Sequence, residues 1–212
     1  MRREIFGQNR TPAEVGRILE LLWARGAPGD VAAVDLLRAA NPSVAAPSFL
    51  AAPEGATLVC AMGEADASEA TNLLVGTYWC EDTTPDRIRR ALLGSSAWVG
   101  ARDRSGALVG TARALADGAR RAWLYDVIVA DAWRGRGLGR ALVRLLLDHP
   151  VVRGVESVLL RTRDAMRFYE PFGFRTRHVQ RTEGQESHEM ILRRTELSRE
   201  AACLLASAGK GT

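Results

Sequence analysis

The segment Trp133-Arg134-Gly135-Arg136-Gly137-Leu138-Gly139-Arg140 separates two stretches of opposite periodicity. Before it, residues 122–130 are rich in Val and Ile and read as a strand. After it, Leu138, Ala141, Leu142, Leu145 and Leu146 fall on one helical stripe. A strand that passes straight into an amphipathic helix points to a mixed α/β layer. The turn itself has clear chemistry. Glycines permit positive φ and close approach of a ligand to the backbone. The first N–H groups of a helix have no internal partner and bind anions. Arg134, Arg136 and Arg140 add charge-assisted bonds suited to phosphate oxygens.

The rest of the chain supplies the other elements of such a layer. Residues 11–26 read as a helix, opened by Thr11-Pro12-Ala13-Glu14 with its capping-box pattern and closed by Gly26. Residues 30–40 read as a second helix, stopped at Asn41-Pro42. Residues 41–55 carry Pro42, Pro47 and Pro53 and read as a linker. A domain is therefore expected over residues 56–194, with a helical extension and linker over 1–55 and a tail over 195–212. Within the domain, 57–62 reads as a buried strand, and Asp66 to Glu69 as the cap of a helix running toward Trp79. Thr84-Pro85 opens a helix carrying Ile88, Leu92 and Leu93. Residues 97–102 and 107–115 flank Asp103-Arg104-Ser105-Gly106 and read as a hairpin. Further strands are expected at 157–161, 175–181 and 188–193. A short helix capped by Asp164 is expected to end near Gly173. His149, just before Pro150, suits a surface or dipole-capping role.

The phosphate ligand can be narrowed. A Walker A loop needs a GxxxxGK[ST] run, which is absent. A dinucleotide fingerprint started at Gly135 or Gly137 fails at Arg140 or Leu142. The remaining order, Arg-x-x-Gly-x-Gly after a strand, resembles the pyrophosphate-binding motif of the GNAT superfamily of acyl-CoA-dependent N-acetyltransferases. The downstream run Asp164-Ala165-Met166-Arg167-Phe168-Tyr169-Glu170-Pro171-Phe172-Gly173-Phe174 resembles a second signature of that superfamily, A-x-x-F-Y-x-x-x-G-F. One helix, a short loop and one strand separate the two, as in the family. The resemblance covers roughly residues 57–193.

It implies a mixed, mostly antiparallel sheet of six to seven strands flanked by helices, and acetyl-CoA as acyl donor. It implies direct transfer of the acyl group to a primary amine of a small molecule or peptide. Residues Arg134 to Arg140, together with the backbone of Val127, Ile128 and Val129, would hold the cofactor, with the Ile128 N–H as oxyanion donor. Tyr169 would be the general acid toward the thiolate, a role that competes with packing beside Phe168, Phe172 and Phe174. Asp126 would bind the substrate ammonium or accept its proton through water, or else serve as a structural carboxylate. With regular alternation Asp126 shares a face with Leu124 and Ile128. Tyr78 and Trp79 stand where the acceptor wall begins in the family, and Thr162 and Arg163 follow the next strand.

Composition limits the alternatives. At 212 residues and 47% apolar content the chain can bury a core without staples. Cys60, Cys80 and Cys203 form no CxxC, and the histidines no ligand spacing, so neither a disulfide framework nor a metal site is expected. A reduced cytoplasmic setting fits, with no membrane span or secretory signal in the pattern. The net charge is +4, unevenly spread. No Lys or Arg lies between Arg38 and Arg87, whereas residues 131–181 hold eleven arginines against five acids. The acidic stretch is either a solvated surface or an acceptor lobe that, beside a basic cofactor lobe, would draw in a cationic amine. Residues 11–40 carry three arginines against four acids, which argues against a nucleic-acid partner. Their apolar stripe needs a surface to cover it, within the chain or in a homodimer. The competing reading is a non-catalytic acyl-CoA sensor or protein-interaction module, which would bind CoA without turnover.

Overall fold

The computed structural model describes residue 53 and residues 55–59, 62–182 and 185–194. The two N-terminal helices and the tail expected from sequence, with Cys60 and Cys203, lie outside the described residues. Seven strands form one sheet in the order β1-β2-β3-β4-β5-β7-β6. They are β1 (Ala56–Val59), β2 (Ala97–Asp103), β3 (Leu108–Ala116), β4 (Arg121–Val129), β5 (Ser157–Thr162), β6 (Arg175–Thr182) and β7 (Gln185–Arg193). All neighbours are antiparallel except β4 and β5. This is the mixed, mostly antiparallel architecture that the resemblance implies. Among the described residues no helix is long and apolar enough to cross a membrane.

Helices cover both faces. On one lies α3 (Leu138–Asp148), whose expected stripe is buried along with Val143 and Leu147. It packs on Val99, Ala112, Leu124 and Leu160. On the other lie α1 (Ala67–Leu74) and α2 (Pro85–Leu93), packed on Trp98, Leu108 and Ile128. Thr84 caps α2 by accepting from the Arg87 N–H at 3.4 Å, with Pro85 at the first helical position. Trp98 Nε1 donates to the Thr111 hydroxyl at 2.7 Å, and that hydroxyl donates to the Val99 carbonyl at 3.0 Å. A polar pair thus crosses the sheet interior with its bonds satisfied.

Three expectations are corrected. The first helix stops at Leu74, not near Trp79. Val75 is extended, Gly76 is left-handed at φ +82°, and the Thr77 hydroxyl donates to the Leu74 carbonyl at 2.8 Å. Tyr78 and Trp79 therefore sit on a loop. Asp66 makes no side-chain cap to α1. One carboxylate oxygen accepts from the Gly63 N–H at 2.8 Å and the other meets Arg102 at 2.5 Å. Asp164 does not cap α5 (Met166–Tyr169) either: the Thr162 hydroxyl accepts from the Ala165 N–H at 3.1 Å instead. His149 joins α3 to the single-turn α4 (Pro150–Arg153), its Nδ1 accepting from the Val151 N–H at 3.4 Å. Burial pushes its imidazole below the usual histidine range.

Candidate active site

Strands β4 and β5 pair only at Arg121↔Ser157, Ala122↔Val158 and Trp123↔Leu159. Beyond Trp123 they separate, and the sheet is split from Leu124 onward. The gap opens into a cleft of about 970 Å³. Its wall carries Tyr78, Trp79, Asp126, Val127 and Tyr169 of the residues expected from sequence.

The glycine-rich turn lies where β4 passes into α3. Gly135 and Gly137 have φ of +72° and +87°, and among the described residues, chain neighbours aside, no atom stands within 4 Å of where a Cβ would be on either. The turn therefore stands clear of the core, and its glycines are required by backbone conformation alone. Gly137 is the N-cap of α3, so the N–H groups of Leu138, Gly139 and Arg140 open outward without intrahelical acceptors. Arg134 is fixed by its Nε, which donates to the Val129 carbonyl at 3.1 Å, and by Asp131 at 2.9 Å. Arg136 stacks on the Trp133 ring at 4.2 Å. Arg140 is exposed beside them. Free amides, a helix N-terminus and guanidinium groups held at the rim form a donor set that fits a pyrophosphate.

Gly139 ties this turn to the second motif. A Cβ there would stand 3.4 Å from the Phe168 ring. Phe168 in turn meets Tyr169 edge-on at 4.8 Å, and Tyr169 meets Phe174 at 5.9 Å. Tyr169 is 8% exposed, yet it reaches the cleft. Its hydroxyl bonds to no other described residue. Burial, with lesser contributions from Tyr78 and Asp164, pushes its phenol up and well beyond the usual range. At neutral pH it keeps its proton and can donate it.

Asp126 is reached through an irregularity that the alternation of β4 does not announce. Thr111 faces Ile128 and Arg113 faces Tyr125, so two residues, Asp126 and Val127, oppose Ala112 alone. This is a β-bulge, and Asp126 carries φ +53° within it. The extra residue resets the faces. Leu124 joins the α3 side and Ile128 the α1–α2 side, so Asp126 does not share one face with both, as regular alternation predicts. The Ala130 N–H donates to the Val109 carbonyl at 2.9 Å. By the alternation of an antiparallel ladder the Ile128 amide then points to Thr111, and the amide facing the gap is that of Val129. The Ile128 amide, expected to face the cofactor, is thus turned toward β3.

Sequence reasoning missed Arg113. Its Nε meets Asp126 Oδ2 at 2.5 Å, and both side chains are 11% exposed. Its guanidinium also lies over the Tyr125 ring at 4.8 Å. The signal was present: an arginine in the middle of the apolar run of β3 requires a counter-charge. On the far wall the Arg163 N–H donates to the Tyr78 hydroxyl at 3.4 Å, and the Arg163 guanidinium covers the Tyr78 ring at 4.3 Å. Trp79, 41% exposed, packs edge-on against Tyr78 at 4.8 Å. Cys80 lines the same cleft, with its thiol pushed up by burial. Among the described residues no cluster of His, Cys, Asp or Glu could hold a metal ion.

A sheet split between two parallel strands, with an anion-binding helix start at one side and a buried phenol at the other, is the architecture of the acyltransferase class the sequence resembles. The profile of the Acetyltransferase (GNAT) family matches residues 67–174, just over half of the chain, and the chain belongs to that family. It is 36% identical over 93 residues to serotonin N-acetyltransferase 2, chloroplastic, of Oryza sativa subsp. japonica, covering 42% of this chain and 46% of that one. It is 35% identical over 68 residues to histone acetyltransferase TAP1 of Glycine max, covering 32% and 29%. The matched region thus spans less than half of these curated relatives. Two solved structures share the fold. One is the ribosomal-protein-S18-alanine N-acetyltransferase from Escherichia coli (TM-score 0.55, 20% identity, 65% of this chain and 93% of that one). The other is an aminoglycoside 6'-N-acetyltransferase complexed with coenzyme A (TM-score 0.56, 17% identity, 64% and 96%).

Proposed function

We propose that the protein transfers an acetyl or related acyl group from acyl-CoA directly to a primary amine of a small molecule or peptide. The observation that carries this reading is the split in the sheet. Beyond Trp123 the edge of β4 is unpaired with β5, Asp126 and Val127 on it line the cleft together with Tyr169, and the strand ends at Val129, just before the glycine-rich turn. Bound acetyl-CoA would supply the acyl group as a thioester.

The chain's own residues divide the remaining work. The α3 N-terminus with Arg134 and Arg140 holds the pyrophosphate. The unpaired edge of β4 offers ladder bonds to an extended chain, and its gap-facing amide donates to the thioester carbonyl as charge develops there. Asp126 uses Oδ2 on Arg113, and its other oxygen meets no described residue. That oxygen positions the acceptor amine and passes its proton toward water. Nitrogen attack on the carbonyl carbon breaks the C–S bond, and Tyr169 supplies a proton to the departing sulfur.

The test is calorimetric titration with acetyl-CoA and free CoA, followed by an amine screen read by thiol release. Binding that weakens in Arg134→Ala, together with turnover that falls in Tyr169→Phe at unchanged acetyl-CoA affinity, is the expected result. Binding without turnover of any amine would make the protein an acyl-CoA sensor, and no binding would remove the CoA assignment.

A further inference from the structure

The acids that sequence reading assigns to the acceptor lobe are not in the cleft. Asp66 and Glu69 are bound to Arg102, at 2.5 and 2.9 Å, and Glu64 to Arg89. Glu81 and Asp82 are exposed and lie off the cleft wall. The charged side chains that do line the cleft are Arg113, Arg161, Arg163, Asp126 and Asp164. Arg113 and Asp126 neutralise one another. Arg161 and Arg163, at the end of β5, and the exposed Asp164 beside them then remain, a net of one positive charge, and none of the three makes an ion pair among the described residues. Arg163 is half-buried and aimed by its stack on Tyr78. On β4, the other strand bordering the gap, Trp123 and Tyr125 also line the cleft. They stack at 6.3 Å with their planes 25° apart.

Resting on the acyl-transfer reading above, we infer that the acceptor is an amine carrying an oxyacid group on an apolar or aromatic body. It is not a simple cationic amine. Two guanidinium forks without carboxylate partners, beside a partly desolvated wall, suit a carboxylate or phosphate. The Trp123–Tyr125 wall takes the apolar body. Asp126, already neutralised by Arg113, takes the amine without gathering cations in general. A free α-amino acid with an apolar or aromatic side chain has this arrangement of groups.

The test compares four acceptors at saturating acetyl-CoA: L-phenylalanine, its phosphonate analogue, L-phenylalaninamide and phenethylamine. Thiol release gives kcat/KM for each. The full chain is used, and the Arg161→Gln/Arg163→Gln pair is joined by Arg163→Lys, which keeps charge but not the fork. An oxyacid-bearing acceptor is expected to exceed the amide by roughly tenfold or more, as charge-assisted bonds require. The preference should vanish in the double Gln variant and shrink in the Lys variant. The carboxylate and phosphonate arms decide which oxyacid it is. Binding of N-acetyl-L-phenylalanine against N-acetyl-L-phenylalaninamide, measured by calorimetry with CoA present, reads the same preference without turnover. Equal or better use of the amide or of phenethylamine overturns the inference, as does a preference that survives in the double variant. So does failure of both oxyacid acceptors and of N-acetyl-L-phenylalanine to engage the protein. Acetyl-CoA affinity is titrated in parallel. If acetyl-CoA binds but no oxyacid preference appears, this inference alone fails. If acetyl-CoA does not bind, the acyl-transfer reading fails.

Discussion

Two pieces of left-handed backbone flank the gap between β4 and β5, and they are built differently. In the turn before α3, Gly135 and Gly137 adopt positive φ with no side chain to accommodate. What the turn offers is its own backbone, opened to solvent. In the bulge of β4, Asp126 adopts φ +53° despite its Cβ. A non-glycine residue there costs about 1–2 kcal/mol, and the Arg113 pair at 2.5 Å holds it in place. The turn is a conformation chosen for its amides. The bulge is a conformation chosen for a carboxylate, and it depends on a counter-charge. The two sides of the cleft should therefore fail in different ways.

The largest effect is expected at the counter-charge. Arg113→Met removes one partner of a nearly buried pair and leaves the Asp126 carboxylate uncompensated, at a cost of about 3 kcal/mol or more. Urea denaturation gives the value. The double variant Arg113→Met/Asp126→Asn should recover a large part of the loss, because the uncompensated charge goes with it. If Arg113→Met alone unfolds at the wild-type midpoint, the pair does not hold the bulge.

A smaller loss of stability, but a larger loss of cofactor affinity, is expected at the turn. Gly137→Ala meets open space, so only the φ of +87° opposes it. The strain is about 1–2 kcal/mol. Relieving it re-aims the first amides of α3, and acetyl-CoA affinity should fall roughly tenfold or more. Arg113→Met should leave that affinity nearer wild type. The opposite ranking in calorimetry would collapse the distinction between the two sides.

The bulge can also be probed without its charge. Asp126→Ala and Asp126→Gly both break the ion pair, but glycine accepts φ +53° freely. The Gly variant should be the more stable by about 1 kcal/mol. Equal stability would mean that the backbone relaxes out of the left-handed region once the pair is lost.

The same contrast explains what could be read from the residues. The Gly135–Gly137 turn is legible because glycines recur between a two-residue and a 3.6-residue period, and backbone need is written in residue type. The α3 stripe and the hairpin at Asp103–Gly106 are legible for the same reason. The hairpin turn is closed by Asp103, whose Oδ1 accepts from the Ser105 and Ala107 N–H groups at 2.8 and 3.1 Å. The bulge was not legible. Leu124-Tyr125-Asp126-Val127-Ile128 reads as unbroken alternation, and only pairing with β3 inserts the extra residue. Arg113 and Asp126 are each anomalous in an apolar strand, but they lie on different strands, and register alone joins them. The end of α1 was misplaced because Leu74 is followed by Val75 and the break depends on Gly76 and Thr77. The acidic stretch misled for a further reason. Charge along a sequence says nothing of what each acid is bound to.

Glu69 makes that last point testable, with the smallest effect. Its carboxylate accepts from the Leu108 N–H at 2.9 Å and meets Arg102 at 2.9 Å. The Leu108 bond first, and then Arg102, hold its pKa below the ordinary value of 4.5. A carboxylate depressed in the folded state contributes stability above its unfolded pKa and loses it as pH falls through the folded one. Stability should therefore drop below about pH 4.5 in wild type, and part of that drop should be missing in Glu69→Gln. The side chain is 44% exposed, so solvent screening limits the contribution to under about 1 kcal/mol. Paired urea curves at neutral pH and below the carboxylate range resolve it. If Glu69 were a free acid of the acceptor lobe, its substitution would leave the acid limb of the stability profile unchanged and would alter amine turnover instead. As a rim fastener between α1 and the β2–β3 hairpin, it should do the reverse.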